Sequence, residues 1–273
     1  MNEQTPPGPL LRCQDVRVRF GGILALDGVG FDVNEGAIVG IIGPNGAGKT
    51  TLFNCISRLY PVHGGDISFA GRSLLATPRH RIAALGIART FQNVALFDTL
   101  SVAENVMLGA HRRFGRGFVA DALRLRSAVR AGRELSNEAE RWLAMLGLEG
   151  VAQRRVSDLP FGTRKRVELA RALAGKPRLL MLDEPAAGLN HAEVEELTVR
   201  IRSLKERLGL TILLVEHHMH VVMSLSDTVI ALDFGRRIAA GTPLHVQQHP
   251  DVIRAYLGGP PHTTRSSSAK VAS

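Results

Sequence analysis

The sequence has few cysteines, few aromatic residues and no long apolar run. Its 273 residues include two cysteines, Cys13 and Cys55, which argues against a disulfide scaffold and indicates a reducing compartment. No apolar run approaches the ~20 residues that a membrane-spanning helix needs. The polar, Pro-rich start from Met1 to Leu11 lacks the pattern of a signal peptide. We therefore expect neither a secreted disulfide-rich protein nor a chain that crosses a membrane itself.

The composition is otherwise that of a folded protein with a sizeable core. Hydrophobic residues make up 45% of the chain and charged residues 22%, which suits one large domain or two compact lobes. Residues 1–9 and 259–273 are predicted to be a disordered arm and tail, because Pro, Gly, Ser and Thr are common there and apolar residues are scarce.

The charge is strongly positive, at +9 with a pI of about 10.5. Much of the excess lies in an arginine-rich stretch between Arg112 and Arg133. Such a stretch can meet nucleic acid or an anionic membrane face, and it can equally be a solvated helix face. Only Phe114 and Phe118 interleave with the arginines, so a platform that stacks single-stranded bases is poorly supported.

The strongest motif is a glycine-rich stretch between an apolar run and a run that can open a helix. Its residues, all predicted to bind nucleotide, are Gly43, Pro44, Asn45, Gly46, Ala47, Gly48, Lys49, Thr50 and Thr51. The spacing is that of a phosphate-binding loop, which needs a strand before it and a helix after it. Lys49 can reach the β- and γ-phosphates, and the Thr50 hydroxyl can ligate Mg²⁺.

Two further apolar runs end in residues that can act on a phosphate. Leu179 to Leu182 precede Asp183 and Glu184, where we expect Asp183 to hold Mg²⁺ and Glu184 to activate the attacking water. Thr211 to Val215 precede Glu216 and His217, and His217 is predicted to contact the γ-phosphate. A metal site in the cluster from His217 to His220 is the weaker interpretation, because its spacing matches no standard ligand pattern.

The spacing of apolar residues changes along the chain and predicts regions of different secondary structure. The first ninety residues are rich in strand patterns and predict a β-rich lobe that carries the phosphate loop. From about residue 94 to 160, helical spacing replaces alternation and predicts a helical subdomain in which Trp142 anchors the core. Strands and helices then alternate to about Leu257.

Together these residues resemble the ATP-binding subunit of an ATP-binding cassette (ABC) transporter, over roughly residues 10–258. The resemblance implies an α/β fold with a RecA-like phosphate-loop ATPase core, an antiparallel β subdomain and an inserted α-helical subdomain. It implies that Phe20 stacks on adenine. It also implies that Gln92 contacts the metal or the water, and that Gly162 faces the γ-phosphate of an opposing subunit. ATP and Mg²⁺ are the expected ligands.

Departures from the family pattern narrow the resemblance. Leu159-Pro160-Phe161-Gly162-Thr163 stands where Leu-Ser-Gly-Gly-Gln is usual, and Asn190 stands where Asp is common. These features and the closing motif from Asp251 to Gly258 look like the ATPase subunits of bacterial branched-chain amino acid importers. Urea and amide importers are similar enough to share the closing motif, so the solute stays open.

The resemblance also implies partners and a place in the cell. Two ATP-binding subunits would close head to tail on two ATP molecules and drive two transmembrane permease subunits. A periplasmic or extracellular solute-binding protein would act through those permeases. The chain would lie on the cytoplasmic face of the inner membrane, and no nucleic acid is expected.

Two other functions remain as alternatives. A soluble ABC-type ATPase that acts on DNA or ribosomes would suit the basic charge. Against it, the chain has one cassette rather than two and no long heptad segment. A regulator that binds nucleotide without hydrolysing it is hard to reconcile with an intact Glu184.

Overall fold

The computed structural model describes residues 8–90, 95–114 and 126–257. Within these ranges the chain forms ten strands and eight α-helices, with three short 3₁₀ helices at Arg79–Leu85, Glu149–Val151 and Val156–Asp158. Residues 1–7 of the predicted arm and all of the predicted tail lie outside the described ranges, as does part of the arginine-rich stretch.

The strands are distributed over two sheets. They are β1 (Leu11–Phe20), β2 (Ile23–Val33), β3 (Ile38–Ile42), β4 (Gly64–Phe69), β5 (Arg72–Ser73), β6 (Ile87–Arg89), β7 (Leu179–Asp183), β8 (Thr211–Val215), β9 (Thr228–Asp233) and β10 (Arg236–Gly241). The first sheet has the order β2-β1-β4-β5 and the second the order β10-β9-β3-β8-β7-β6.

The first sheet is antiparallel, and the second is parallel except at one edge. In the second sheet β3, β6, β7, β8 and β9 run parallel, and only β10 pairs antiparallel, with β9. The strand before the phosphate loop therefore belongs to the second sheet. The sequence-based prediction of a β-rich lobe of ninety residues carrying the loop was wrong on this point, because the partners of β3 lie more than 160 positions further along the chain.

Eight α-helices lie within the described residues. They are α1 (Lys49–Ile56), α2 (Val102–Phe114), α3 (Arg126–Leu146), α4 (Phe161–Ala174), α5 (His191–Leu208), α6 (Met219–Leu225), α7 (Pro243–Gln247) and α8 (Pro250–Leu257). None of the described helices is both long enough and apolar enough to span a membrane.

The second sheet separates two apolar clusters, because successive side chains of a strand point to opposite faces. On β7, Leu180 and Leu182 join a cluster with α2, α3, α4 and α5. Leu179 and Met181 join the cluster formed with α1 and the first sheet. All five residues of β3, β7 and β8 are buried, which explains why these strands read as uninterrupted apolar runs.

The helical part of the chain has its own packing around a tryptophan. Trp142 on α3 is 8% exposed and lies in the cluster that α2 and α4 share. The prediction that Trp142 anchors the core is confirmed. These contacts hold the helix that begins at Phe161 against the face of the second sheet.

Candidate nucleotide-binding site

The ends of four neighbouring strands supply the candidate site. Because β3, β6, β7 and β8 are parallel, their carboxyl ends meet at one edge of the sheet. That edge is where open α/β sheets bind ligands. The phosphate loop follows β3, Asp183 ends β7 and Glu184 follows it, and Glu216 and His217 follow β8.

The phosphate loop leads directly into α1. Gly48 is the N-cap of α1 in a left-handed conformation (φ 101°), and a Cβ there would meet the Ala25 carbonyl oxygen at 2.8 Å. Glycine is therefore needed both for the turn and for the close approach of β2. The Lys49 ammonium donates to the carbonyl oxygens of Gly43, at 2.6 Å, and Pro44, at 3.0 Å. The Lys49 side chain is thus held by hydrogen bonds to the backbone of its own loop.

Lys49 lies within the electrostatic reach of Asp183, the predicted Mg²⁺ ligand, and of Glu184, the predicted base. Its side chain is buried, and burial lowers the pKa of Lys49, while the charges of Glu184 and Asp183 oppose that shift. Opposite charges have this effect only at short range. The pairing of β8 with β3 and with β7 places Lys49, Asp183 and Glu184 at the same edge of the sheet. Thr50 follows Lys49 in the first turn of α1 and is exposed, and Thr51 is half-buried.

Asp183 is paired with an arginine that the sequence analysis did not assign. Arg89 at the end of β6 donates to the Asp183 carboxylate at 2.6 Å, with both side chains at least nine-tenths buried. The same guanidinium donates to Asn54, at 2.8 Å, and Ser57, at 3.2 Å, on and just after α1. Arg89 therefore links the end of β7 to the helix behind the phosphate loop. The sequence could have indicated a role for Arg89 at the site, because it stands three residues before the predicted site residue Gln92.

Glu184 occupies a left-handed backbone conformation, with φ 49°. This conformation is uncommon for a residue other than glycine, and such strain concentrates at functional sites. The Glu184 N–H donates to the Val215 carbonyl at 2.8 Å. The carboxylate lies 3.8 Å from Nδ1 of His217, so the predicted base and the predicted γ-phosphate contact face each other.

Glu216 organises the loops around that pair, and the sequence analysis assigned it no role. Its fully buried carboxylate accepts from the N–H groups of Ala186 (2.7 Å), His217 (3.1 Å) and His218 (3.3 Å). It also lies 3.1 Å from Nδ1 of His218. Ligand atoms of Glu216, His217 and His218 come within 4.8 Å of one another, a grouping that a metal ion can use. Because the Glu216 carboxylate already accepts hydrogen bonds from three backbone N–H groups, we interpret its role as structural: it holds the two loops together.

Lys165 on α4 lies behind the carboxylates. Burial lowers the pKa of Lys165, and the charges of Glu168, Glu216, Glu184 and Asp183 oppose that shift. Its ammonium donates to the Glu184 carbonyl at 3.4 Å. The buried Lys165 ammonium therefore links α4, the helix that begins within the Leu159–Thr163 segment, to the carboxyl ends of β7 and β8.

The remaining predicted site residues have contacts elsewhere in the chain. Phe20, at the end of β1, packs edge-on against Tyr60 with ring centroids 5.1 Å apart. It lies at the turn of the β1–β2 hairpin, and β2 carries Ala25 against the phosphate loop. Gly162 lies beside Glu193, whose Oε1 is 2.5 Å from where a Cβ would stand. Gln92 lies outside the described residues.

Comparison with protein families matches two parts of the chain. The family model for the ABC transporter ATPase matches residues 26–187, which span the phosphate loop, the Asp183–Glu184 pair and α4. The family model described as branched-chain amino acid ATP-binding cassette transporter matches residues 236–262, which include β10, α7 and α8.

Individual proteins resemble the chain over most of its length. The high-affinity branched-chain amino acid transport ATP-binding protein BraF of Pseudomonas aeruginosa is 42% identical over 250 residues, which cover 92% of this chain and 98% of BraF. A crystal structure of a nucleotide-free ATP-binding cassette from an ABC transporter superposes with a TM-score of 0.79 at 29% identity, covering 91% of this chain and 99% of the other.

A third similar protein has been solved as a dimer. It is an ATP-binding cassette in a post-hydrolysis state, bound to ADP and phosphate, with a TM-score of 0.73 at 25% identity, covering 85% of this chain and 98% of that one. The predicted RecA-like α/β fold, with its antiparallel β subdomain and helical subdomain, is confirmed by these likenesses. The matched family model and the identity to BraF show that the chain belongs to the ABC transporter family, as an ATP-binding, ATP-hydrolysing subunit.

Proposed function

We propose that the chain hydrolyses ATP to power the uptake of branched-chain amino acids, or of a similar small polar solute, through separate permease subunits. The observation that carries this proposal is the meeting of Lys49, Asp183, Glu184 and His217 at one edge of the parallel sheet. Support for the solute class comes from BraF and from the matched C-terminal family model.

The residues at this edge suit Mg²⁺, which prefers hard oxygen ligands. Asp183 supplies a carboxylate and the exposed Thr50 a hydroxyl, so these two residues would hold the ion, and Gln92 is the third candidate. The buried Arg89 fixes the orientation of the Asp183 carboxylate through their 2.6 Å contact. When bound, Mg²⁺ would neutralise charge that develops on the β- and γ-oxygens of ATP.

Glu184 is proposed as the general base and His217 as a contact of the γ-phosphate. The Glu184 backbone is fixed by the bond from its N–H to Val215 and by the Lys165 ammonium on its carbonyl. Its carboxylate, 16% exposed, is thereby held in place to take a proton from the attacking water. A positioned base of this kind contributes about 10²–10⁴-fold to the rate. The half-exposed His217 can donate to a phosphate oxygen in front of it.

A second ATP-binding subunit is proposed to complete each site. Helix α4 begins at Phe161 with Pro160 as its N-cap, and the start of a helix attracts anions through its free N–H groups and its dipole. Gly162 stands in the first turn, where it would face the γ-phosphate bound by an opposing subunit. The solved dimeric relative supports a dimer, and the head-to-tail arrangement is proposed because it would bring Gly162 to that phosphate. Phe20 is proposed to stack on the adenine base of its own chain's nucleotide.

A groove between the sheet and the helical region is the proposed docking site for the permease. Its cavity volume is about 860 Å³, and its lining includes Arg89 of β6, Arg171 of α4 and two exposed apolar side chains, Phe97 and Leu108. Exposed apolar groups in a groove favour binding of a partner segment. Because Arg89 also pairs with Asp183, a permease segment here would be connected directly to the nucleotide site. Binding to the cytoplasmic side of a permease would place the chain on the cytoplasmic face of the membrane.

The test is affinity purification of a Glu184→Gln variant from detergent-solubilised membranes in the presence of ATP, followed by mass spectrometry. This substitution removes the base but keeps the side-chain shape, so it should abolish turnover and trap an ATP-bound dimer. We expect recovery of two hydrophobic permeases with a second ATP-binding subunit. The matched control is the double variant Lys49→Ala/Glu184→Gln, which should not be trapped.

Two results would contradict the proposal. Recovery of ribosomal or DNA-repair proteins without any membrane component would favour the soluble ATPase. The arginine-rich stretch would then be the first candidate for the contact with nucleic acid. Near wild-type hydrolysis by Glu184→Gln would remove the role of Glu184 as the base. If permeases are recovered as expected, uptake measurements with them would identify the solute.

A further inference from the structure

The C-terminal helix contacts the phosphate loop directly. Tyr256 lies on α8 and its hydroxyl accepts a hydrogen bond from the N–H of Gly43, at 2.9 Å. The two residues are 213 positions apart in the chain. Tyr256 belongs to the segment matched by the branched-chain amino acid family model, and the catalytic arrangement described above assigns it nothing.

Gly43 is held on several sides at the point where β3 becomes the phosphate loop. Its φ is 150°, and a Cβ would stand 2.2 Å from the Leu232 carbonyl oxygen of β9. Its carbonyl oxygen accepts the 2.6 Å hydrogen bond from the Lys49 ammonium. A chain of two hydrogen bonds therefore runs from Tyr256 through the Gly43 residue to Lys49.

The helix that carries Tyr256 is anchored independently of this bond. Val252 is 3% exposed and packs in a cluster with Val246, Ala239 and Ile42. Ile42 is the residue before Gly43, so α8 packs against the strand that leads into the loop. The turn before the helix is fixed by the bond from the Ile253 N–H to the His249 carbonyl, at 3.0 Å. The position of the Tyr256 hydroxyl is thus set by apolar packing, and removing the hydroxyl alone should leave the helix in place.

We propose that Tyr256 is a positioning residue for the phosphate loop, and that the C-terminal helix thereby sets the affinity of the chain for nucleotide. The inference rests on the nucleotide site proposed above. A loop that is ordered before it binds loses less conformational freedom on binding, and this raises affinity. Tyr256 restricts the peptide that begins the loop, and it does so from outside the phosphate-binding surface. Burial also raises the pKa of Tyr256, although the bond from Gly43 opposes that shift.

The same coupling must act in the opposite direction. If an ordered α8 favours bound nucleotide, then bound nucleotide favours an ordered α8 by the same factor. The C-terminal segment would therefore report the state of the nucleotide site to whatever contacts it. Leu257 and Ile253 on the exposed side of α8 are 81% and 45% exposed.

The first experiment compares ADP binding by calorimetry in the full chain and in two variants. Tyr256→Phe removes only the hydroxyl and should weaken ADP binding by about 3- to 10-fold, the usual effect of one lost hydrogen bond. Leu257→Ala, the neighbouring exposed position, is the matched control and should bind ADP within about twofold of the wild type. In steady-state hydrolysis Tyr256→Phe should raise KM for ATP and leave kcat unchanged.

The second experiment measures amide hydrogen exchange. In the wild type, ADP should slow exchange in residues 250–257 more than in the remote helix α5. In Tyr256→Phe, exchange at the Gly43 amide should be faster than in the wild type, and the ADP effect on α8 should disappear. A merely structural role would change the melting temperature without this exchange pattern.

The outcomes separate this inference from the proposed function. Wild-type ADP binding together with unchanged affinity and exchange in Tyr256→Phe would overturn the role of Tyr256 alone. Equal weakening by Leu257→Ala would also overturn it, since the effect would then belong to the helix surface. Failure of the wild type to bind ADP would contradict the nucleotide site itself, and the inference with it.

Discussion

Lys49 donates its hydrogen bonds to carbonyl oxygens of its own loop, and a bound phosphate has to compete with those acceptors. The ammonium is buried beside the charges of Glu184 and Asp183, so this cation is desolvated before any ligand arrives. Desolvated charges interact more strongly with a ligand of opposite sign than exposed ones do. Lys49 should therefore contribute strongly to the affinity of the chain for nucleotide.

Lys49→Ala should weaken ADP binding by about 10- to 100-fold, because a hydrogen bond to a charged group contributes about 1.5–3 kcal/mol. Isothermal titration calorimetry measures this effect. Lys176→Ala is the matched control, since Lys176 is an exposed lysine paired with Glu138 away from the loop. An unchanged affinity in Lys49→Ala would contradict the phosphate-loop assignment.

Glu216→Gln should lower kcat several-fold and leave ADP affinity within about twofold. The amide replaces one acceptor oxygen with an NH₂ group, which then faces the N–H groups of Ala186, His217 or His218. An unsatisfied buried donor costs about 1–3 kcal/mol, so the loops that carry Glu184 and His217 should shift and stability should fall. Steady-state kinetics and urea unfolding measure the two effects.

The matched control for this prediction is Glu206→Gln on the exposed end of α5. It makes the same chemical change outside the site and should alter neither kcat nor the urea midpoint. Wild-type turnover in Glu216→Gln would mean that the loops are positioned without the Glu216 carboxylate.

At the scale of an element, α5 shows how a departure from the family pattern is accommodated. Asn190 is its N-cap and accepts from the Glu193 N–H at 3.0 Å, while the Glu193 carboxylate accepts from the Asn190 N–H at 3.0 Å. This reciprocal pair is a capping box. Asparagine caps a helix about as well as aspartate does, so the helix keeps its start although Asp is more common at this position.

Asn190→Ala should therefore destabilise the chain by about 1 kcal/mol, the usual cost of losing an N-cap side chain. Asn190→Asp keeps an acceptor oxygen and should match the wild type within about 0.5 kcal/mol. Urea unfolding should show a lower midpoint for Asn190→Ala with an unchanged slope. If the alanine and aspartate variants had the same midpoint, the cap would have no energetic role.

The parallel strands show why elements near the site were the easiest to predict. β3, β7 and β8 are buried on both faces, so each reads as a short apolar run. The β7 and β8 runs end at polar residues, and the β3 run ends at the glycine-rich loop. Predicted strand ends at Asp183 and at Val215 are confirmed by the structure. Lys49 and Phe161 begin helices without the polar caps that mark most helix starts, so the sequence offers no local signal for these two starts.

At the scale of the whole molecule, the two thiols report on the global stability of the fold. Cys13 on β1 and Cys55 on α1 are both buried in the cluster between the two sheets. Burial raises the pKa of Cys55 to about 11 and also raises the pKa of Cys13. Since the thiolate is the reactive form, both groups are protected by inaccessibility and by protonation.

A chromogenic thiol reagent at pH 8 should therefore label the native chain far more slowly than the unfolded chain, which should react with two equivalents. ADP should slow native labelling further, because a ligand that binds only the folded state stabilises it by mass action. Rapid reaction of one equivalent in native buffer would show that one of the two sheets opens without global unfolding.

The sequence alone predicted the chemistry at each strand end, since the phosphate loop, the strand-end carboxylates and the strand-end histidine can each be recognised from residues that are adjacent in the chain. It also determined the family and the α/β class, through motifs and periodicity that act over short distances. Only the tertiary structure decided which strands are neighbours. Pairing of β8 with both β3 and β7 places Lys49, Glu184 and His217 together, and the packing of Val252 places Tyr256 on Gly43. Such contacts depend on burial and strand register between segments that are distant in the chain, and no local pattern encodes them.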